Sequence, residues 1–405
     1  MPDEPAGSAP HADARPSAAP FPTVPSPPAP FPARRRRWLR PRTFLALAVA
    51  VLLLAVSGVG YAGWYYSSEL LTVPHGEVPF DLWVLDADAN SVTLPRTEET
   101  TQPGTYGLRW PGGSAVLGAI ESQDGDSVTR GMSLVSPGAP SGEADMNRAV
   151  WNSDPARDLG LAFRSVAVPT PLGDMPAWHV PARGKTWAVL VHGRGGSRAE
   201  GLRVMPALHR AGLPVLAISY RNDEGAPTGP DGLYHLGHSE WRDLEAAVRY
   251  ARAEGAQRVV LYGYSMGGAI VGAFLDRSAQ AEHVAAVVLD APVADWRATL
   301  DLQAAARDLP SPLTTVAEFI VERRIGIDFD EFDLPRHGEQ FRRPTLVFHG
   351  TDDSTVPIGP SRAFARRHRD VVTFSEVAGA EHTGAWNVDP ARYERQLTDF
   401  LADAL

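Results

Sequence analysis

The stretch VVLYGYSMGGAI, residues 259–270, runs strand-forming residues straight into a serine framed by glycines. Gly263-Tyr264-Ser265-Met266-Gly267 fits G-x-S-x-G, the pattern of a turn that projects a serine hydroxyl between a strand and a helix. The pentapeptide alone also fits an ordinary packing turn. A serine hydroxyl is a weak nucleophile, so it needs a base, and the base needs an acid to orient it. Downstream, PTLVFHGTDDSTVP ends a strand pattern with Asp352 and Asp353, and VVTFSEVAGAEHTGAW ends the next with His382. Asp353 and His382 are 29 residues apart, room for one helix and one strand. Serine, acid and histidine therefore occur in the chain order that commonly accompanies such a turn.

From about residue 163 the chain alternates short apolar strands with helical patterns, the mark of an α/β fold with a mainly parallel sheet. FRSVAVPTPLGDMPAWHVPA reads as an entering hairpin. WAVLVHG, LPVLAISY, RVVLYGYS, VAAVVLDAP, PTLVFHG and VVTFSEV read as six strands covered on both faces. SEWRDLEAAVRYARAEG reads as an amphipathic helix with Trp241, Leu244, Val248 and Ala251 inward. Ser239 is its expected N-cap, and Glu240 suits the positive end of the dipole. Serine, acid and base would all sit at one edge of this sheet.

Residues 163–405 resemble the α/β-hydrolase superfamily, in the blocks VHGRGG, GYSMGG, HGTDDSTVP and GAEHTG. The layout looks most like the membrane-anchored, Bem46-like branch. The resemblance implies an α/β-hydrolase fold and selects Asp353 over Asp352 as the acid beside Ser265 and His382. It implies an oxyanion hole from the backbone N–H groups of Arg194 and Met266. Two donors aimed at one oxygen would stabilise a tetrahedral intermediate. It also implies a small helical cap at about 293–340, where Phe319, Ile320, Ile325 and Phe329 either line an acyl pocket or pack the cap onto the body. Asp290 and Asp295 remain a minor alternative for the acid. The Arg194 side chain would meet an acidic substrate group or be solvated. His192 and His349 read as parts of the two HG turns. Asn222, Asp223, His235 and His238 read as a polar network or as pocket residues. Asp231 lies near the two histidines, but no ligand spacing supports a metal. No cofactor is required.

The N-terminal third is different. Residues 1–33 are rich in proline, alanine and serine, a composition that cannot bury a core. Six arginines follow between Arg34 and Arg42, and then residues 43–66 carry no charge. Such a run is long enough to span a bilayer as a helix, and the arginines would stay cytoplasmic. A cleaved signal peptide would have a shorter leader and apolar region. Residues 67–160 show short alternating runs split by glycine turns, a β-rich membrane-proximal segment with no catalytic constellation. The expected division is therefore a tail at 1–42, a transmembrane helix at 43–66, the β-rich segment at 67–160 and a catalytic domain at 161–405.

The net charge of −10 argues against a general nucleic-acid binder. The absence of cysteine removes disulfides, thiolate nucleophiles and cysteine-bound zinc. These features together predict a single-pass serine hydrolase of the cell membrane, with its catalytic domain outside, acting on small-molecule or lipid-like acyl esters. The alternatives are an acyltransferase or peptidase on the same fold, or a non-catalytic envelope scaffold.

Overall fold

The computed structural model describes residues 41–76, 79–136 and 138–405. The proline-rich tail and arginine cluster expected over 1–42 lie outside those residues, apart from Pro41 and Arg42. The chain separates into Met1–Leu54 and Ala55–Leu405.

Helix α1 spans Pro41–Leu71, five residues past the expected end at 66. By length and composition it can cross a membrane, with a mean hydropathy of 2.4 over its most apolar window, none of which is buried. The extra turn is also held from a distant part of the chain. The Ser67 and Ser68 hydroxyls donate to the Trp64 carbonyl and also accept from the Arg324 guanidinium, which lies 4.1 Å over the Trp64 ring.

Strands β1 (Leu82–Val84), β2 (Asp86–Ala87), β3 (Ser91–Pro95), β4 (Tyr106–Trp110), β5 (Gly113–Asp124), β6 (Ser127–Leu134) and β7 (Gly142–Asn147) form one antiparallel sheet, in the order β1-β7-β4-β5-β6-β3-β2. This is the β-rich segment. Alternate residues such as Val92 and Leu94, with Leu108, Leu117 and Val128, bury its own core. Arg130 is fully buried inside it, and its guanidinium is satisfied by the carbonyls of Thr100, Gln102, Gly104 and Gly118.

After α2 (Pro155–Leu159), the hairpin β8 (Arg164–Thr170) and β9 (Gly173–Val180) enters an eight-stranded sheet. Its remaining elements run β10 (Thr186–Val191), α3 (Met205–Arg210), β11 (Val215–Ile218), α4 (Trp241–Ala253), β12 (Arg258–Tyr264), α5 (Met266–Arg277) and β13 (Val284–Asp290). The helices α6 (Trp296–Ala305), α7 (Ser311–Ile325) and α8 (Leu334–His337) follow. The chain then completes the sheet through β14 (Thr345–Gly350), α9 (Ile358–Arg367) and β15 (Val372–Val377), and ends in α10 (Ala385–Val388) and α11 (Pro390–Ala404).

The order is β15-β14-β13-β12-β10-β11-β9-β8, parallel from β11 through β15. Successive strand residues alternate between two cores. Val189, Leu261, Val287 and Val347 pack on one face, and Leu190, Val260, Val288 and Phe348 on the other. A sheet buried on both sides explains why these strands read as unbroken apolar runs.

One local expectation fails. The N-cap of α4 is Glu240, not Ser239. The Glu240 carboxylate accepts from the His235, Gly237 and Ser239 amides, which ties down the approach to the helix. The buried Ser239 hydroxyl is left without a partner among the described residues.

Candidate active site

β12 ends at Tyr264 and α5 begins at Met266, so Ser265 alone makes the turn, with φ 48° and ψ −117°. That backbone region costs a non-glycine residue about 1–3 kcal/mol and persists only where the surroundings enforce it. Here the Ser265 N–H donates to the Asp290 carbonyl at 3.0 Å, and its own carbonyl accepts from Gly268 and Val293. The flanking glycines are required by close approach. A Cβ on Gly263 would lie 2.7 Å from the Gly267 carbonyl, and one on Gly267 would lie 2.3 Å from the Val191 oxygen.

Adjacent parallel strands carry the other two residues to the same edge. Asp353 follows β14 and His382 follows β15. His382 Nε2 lies 2.8 Å from Ser265 Oγ, and its Nδ1 lies 2.8 Å from Asp353 Oδ2. With the ring proton on Nδ1, the imidazole donates to the carboxylate and accepts from the serine hydroxyl. Asp353 Oδ1 is held by the Thr355 and Val356 amides. Burial alone would raise the Asp353 carboxyl. The hydrogen bonds from His349 and His382, the His382 charge and the Val356 N–H outweigh it and hold the group well below the usual carboxylate range.

The rival acids stand elsewhere. Asp352 is exposed and accepts from the Thr351 hydroxyl. Asp295 caps α6 through the Ala298 amide. Asp290 is buried, with one carboxylate oxygen accepting from Tyr393 O–H and the other unpaired among the described residues. Its carboxyl is pushed up to about 6 by burial, opposed by Arg203 and the Tyr393 hydrogen bond.

The loop after β10 is tightly held. Gly193 packs on Ser265, so that a Cβ there would lie 3.1 Å from the serine Cβ. The Gly193 N–H donates to Glu200, and the Gly195 N–H donates to the Tyr234 hydroxyl. The Arg194 and Met266 amides take no acceptor among the described residues. The Arg194 side chain lines the cavity beside Ser265 and donates from Nε and Nη2 to the carbonyls of Leu70 and Glu69 at the end of α1.

The segment 219–241 braces this loop and does not line the site. Tyr220 O–H donates to the Gly193 carbonyl, and His192 stacks on Tyr220 and bonds Asp223. Burial pulls the His192 imidazole down, but the Asp223 carboxylate outweighs it and raises the group. Asn222 closes its own loop through Leu233 and Gly229, His235 pairs with Asp231, and His238 meets Arg277. Among the described residues no group of three or more His, Cys, Asp or Glu is arranged to hold a metal ion.

Ser265 and His382 open into a cavity of about 320 Å³. Its walls are mainly apolar and come from α6 (Trp296, Leu300), α7 (Ala317, Val321) and the end of α1 (Tyr66, Leu70). The size is at the lower end for small-ligand pockets. The four residues expected as candidates for an acyl-pocket lining do not line it. Phe319 is 55% exposed, Ile320 packs against Gly63, and Ile325 and Phe329 lie in the core. For Phe319 and Ile320 the reason is helical phase: Ala317 and Val321 are four apart on the lining face of α7, and those two residues point away from it.

Sequence reasoning also passed over residues that touch the site. His349 Nε2 approaches Asp353, a contact whose only signal was its place four residues upstream. Arg148, Arg203 and Asn387 grip the His382 loop through long-range contacts that no local pattern announces.

Comparison with known proteins agrees with this architecture. Residues 187–319 match the family described as alpha/beta hydrolase fold, and residues 83–151 match a domain of unknown function (DUF8805). The human protein ABHD12B is 29% identical over 180 residues, 42% of this chain and 46% of its own length, so the chain spans about half of that relative. An esterase of Pyrococcus furiosus shares the fold at a TM-score of 0.50 and 21% identity, over 63% of this chain and 97% of the esterase. The strand order, the turn at Ser265 and these matches show that the chain has the α/β-hydrolase fold.

Proposed function

We propose that the protein is a membrane-anchored serine hydrolase that cleaves carboxylic esters. The observation that carries this reading is the continuous contact from Ser265 Oγ through His382 to Asp353, 2.8 Å at each step, with Ser265 and His382 in the wall of a mainly apolar cavity. Ser265 Oγ attacks the ester carbonyl carbon while His382 Nε2 takes the hydroxyl proton. Asp353 holds the ring and stabilises its positive charge. The Arg194 and Met266 N–H groups receive the oxyanion. The tetrahedral intermediate collapses, and the departing alcohol takes the proton from His382. Water then attacks the acyl-enzyme with His382 again as base, which releases the acid and restores Ser265.

The apolar wall suits an acyl or alkyl group, and α1 supplies the anchor. The arginine-rich sequence before α1 favours a cytoplasmic N-terminus, which sets the catalytic body outside the membrane. Labelling by a fluorophosphonate probe, together with turnover of p-nitrophenyl esters, tests the reading. The wild type labels and turns over, and Ser265→Ala does neither while keeping its circular dichroism spectrum. A folded wild type that resists the probe, or equal labelling of the variant, would overturn it.

A further inference from the structure

The β-rich sheet of residues 82–147 contributes no side chain to the cavity, yet it reaches the histidine loop. That loop needs holding. Thr383, next to His382, has φ 50°, a region that a β-branched residue occupies only under constraint. The carbonyls of His382 and Thr383 are each taken by a guanidinium. Arg203, buried in the 3-10 helix Arg198–Arg203, donates to the Thr383 carbonyl at 2.6 Å. Arg148, just beyond β7, donates to the His382 carbonyl at 2.6 Å.

A second link lies one turn further on. Asn387 in α10 is fully buried, and its amide donates to the carbonyls of Thr105 and Arg148. Its side-chain oxygen accepts from Arg203, and its main-chain carbonyl accepts from the Thr105 N–H. The approach at Gly104 is so close that a Cβ there would lie 2.2 Å from the Asn387 oxygen. Trp151 packs edge-on against Trp386, with ring centroids 5.7 Å apart. Both ends of this contact surface, residues 104–105 and 148–151, belong to the β-rich segment or its exit.

We infer that the β-rich segment is a clamp on the histidine loop, and that Arg148 is a positioning residue for His382. The inference rests on the assignment of His382 as the base. Arg148 touches no substrate and acts through the His382 main chain, where it opposes release of the strained Thr383 turn. Loss of the clamp displaces the imidazole relative to Ser265 Oγ, and a displacement near 1 Å is worth up to about a hundredfold in rate. Arg148 is exposed, so its removal leaves no buried charge behind.

The full chain carrying Arg148→Ala and Arg148→Lys is compared with wild type in two measurements. In steady-state hydrolysis of a p-nitrophenyl ester, Arg148→Ala lowers kcat roughly tenfold or more with KM within about twofold. Arg148→Lys, whose ammonium can reach the same carbonyl, recovers part of that loss. In hydrogen exchange, Arg148→Ala speeds exchange of the 380–384 amides and leaves the β12 and β13 amides unchanged. Wild-type kcat in the alanine variant, equal losses in both variants, or unchanged exchange at 380–384 would each overturn the inference. If wild type shows no esterase activity but the exchange effect is present, the assigned reaction falls and the clamp stands.

Discussion

His349 Nε2 lies 3.2 Å from Asp353 Oδ2, the oxygen that His382 Nδ1 approaches to 2.8 Å. Two imidazoles thus converge on one carboxylate oxygen. His349 is itself fixed by the Ser361 hydroxyl and the Val356 carbonyl, and its side chain is wholly buried. In the proposed reaction it would therefore aim the acid that aims the base. Substitution His349→Ala is expected to lower kcat roughly tenfold with little change in KM, because the displaced group touches no substrate. Steady-state kinetics on a short-chain ester checks this, and a wild-type kcat would show that Asp353 is held without it.

The same contacts make Asp353 a source of pH-dependent stability. Its folded value lies below the ordinary 3.8, so the unfolded chain binds the proton more readily. The stabilisation is complete above the unfolded value and is lost as pH falls through the folded one. Asp353→Asn should therefore unfold at a lower temperature than wild type near pH 7, with the gap closing below about pH 3.8. Turnover by this variant is expected to fall by about 10⁴, through loss of ring orientation and of charge stabilisation. Thermal melts at pH 7 and pH 3 test the first statement. A gap of the same size at both would refute it.

Asp290 has the opposite sign. Burial raises its carboxyl to about 6, so the folded chain holds the proton more tightly than the unfolded chain. Stability from this group is therefore present in acid and falls as pH rises from about 3.8 to about 6. Asp290→Asn keeps an acceptor for Tyr393 and removes the buried charge. It is expected to be more stable than wild type at pH 7.5, by on the order of 3 kcal/mol, and equal to it near pH 3.5. It should also retain turnover, unlike Asp353→Asn. A turnover loss as large as that of Asp353→Asn would move the acid to Asp290.

Gly267 stands where α5 crosses the end of β10. The atoms around its hypothetical Cβ are the Val191 and His192 carbonyl oxygens, at 2.3 and 2.8 Å, and backbone cannot swing aside as a side chain can. Gly267→Ala must push α5 from the sheet and move Ser265 with it. The expected cost is about 3 kcal/mol or more, at the upper end of overpacking penalties. Urea unfolding measures it, and a variant within about 1 kcal/mol of wild type would mean that the turn is less crowded than its geometry requires.

Much of the architecture could be read from periodicity alone. Six apolar runs became β10 to β15 because strands covered on both faces have no polar side to show. The turn at Ser265 was readable because it is local: glycine spacing reports crowding within a few residues. The order of Asp353 and His382 was readable because both follow strands of one sheet. What could not be read depends on distant partners. Asn387 meets Thr105 across 282 positions, and Arg148 meets the His382 carbonyl across 234. The N-cap of α4 is Glu240 rather than Ser239, and the Glu240 side chain caps no helix amide but gathers three amides of the preceding loop. Apolar character alone leaves open whether the four cap residues line the cavity or pack the cap, because it does not reveal the helical phase of α7.

That phase gives a test of the substrate. Ala317 lies on the inward face of α7, with Val321 one turn on and Leu300 of α6 also in the wall. Ser265 and His382 line the same cavity. A larger side chain at 317 removes room for an apolar chain without touching the reacting atoms. Ala317→Phe should therefore spare an acetyl ester, whose acyl group needs little of the cavity, and penalise an octanoyl ester. Each methylene placed in an apolar pocket is worth about tenfold or more in kcat/KM, so the octanoyl-to-acetyl ratio should drop at least about tenfold. Phe319→Ala, on the exposed face of the same helix, should leave that ratio unchanged. A series of p-nitrophenyl esters from acetyl to dodecanoyl, run on both variants, reads the outcome. A shift in the ratio on Phe319→Ala and none on Ala317→Phe would place the acyl group outside this cavity.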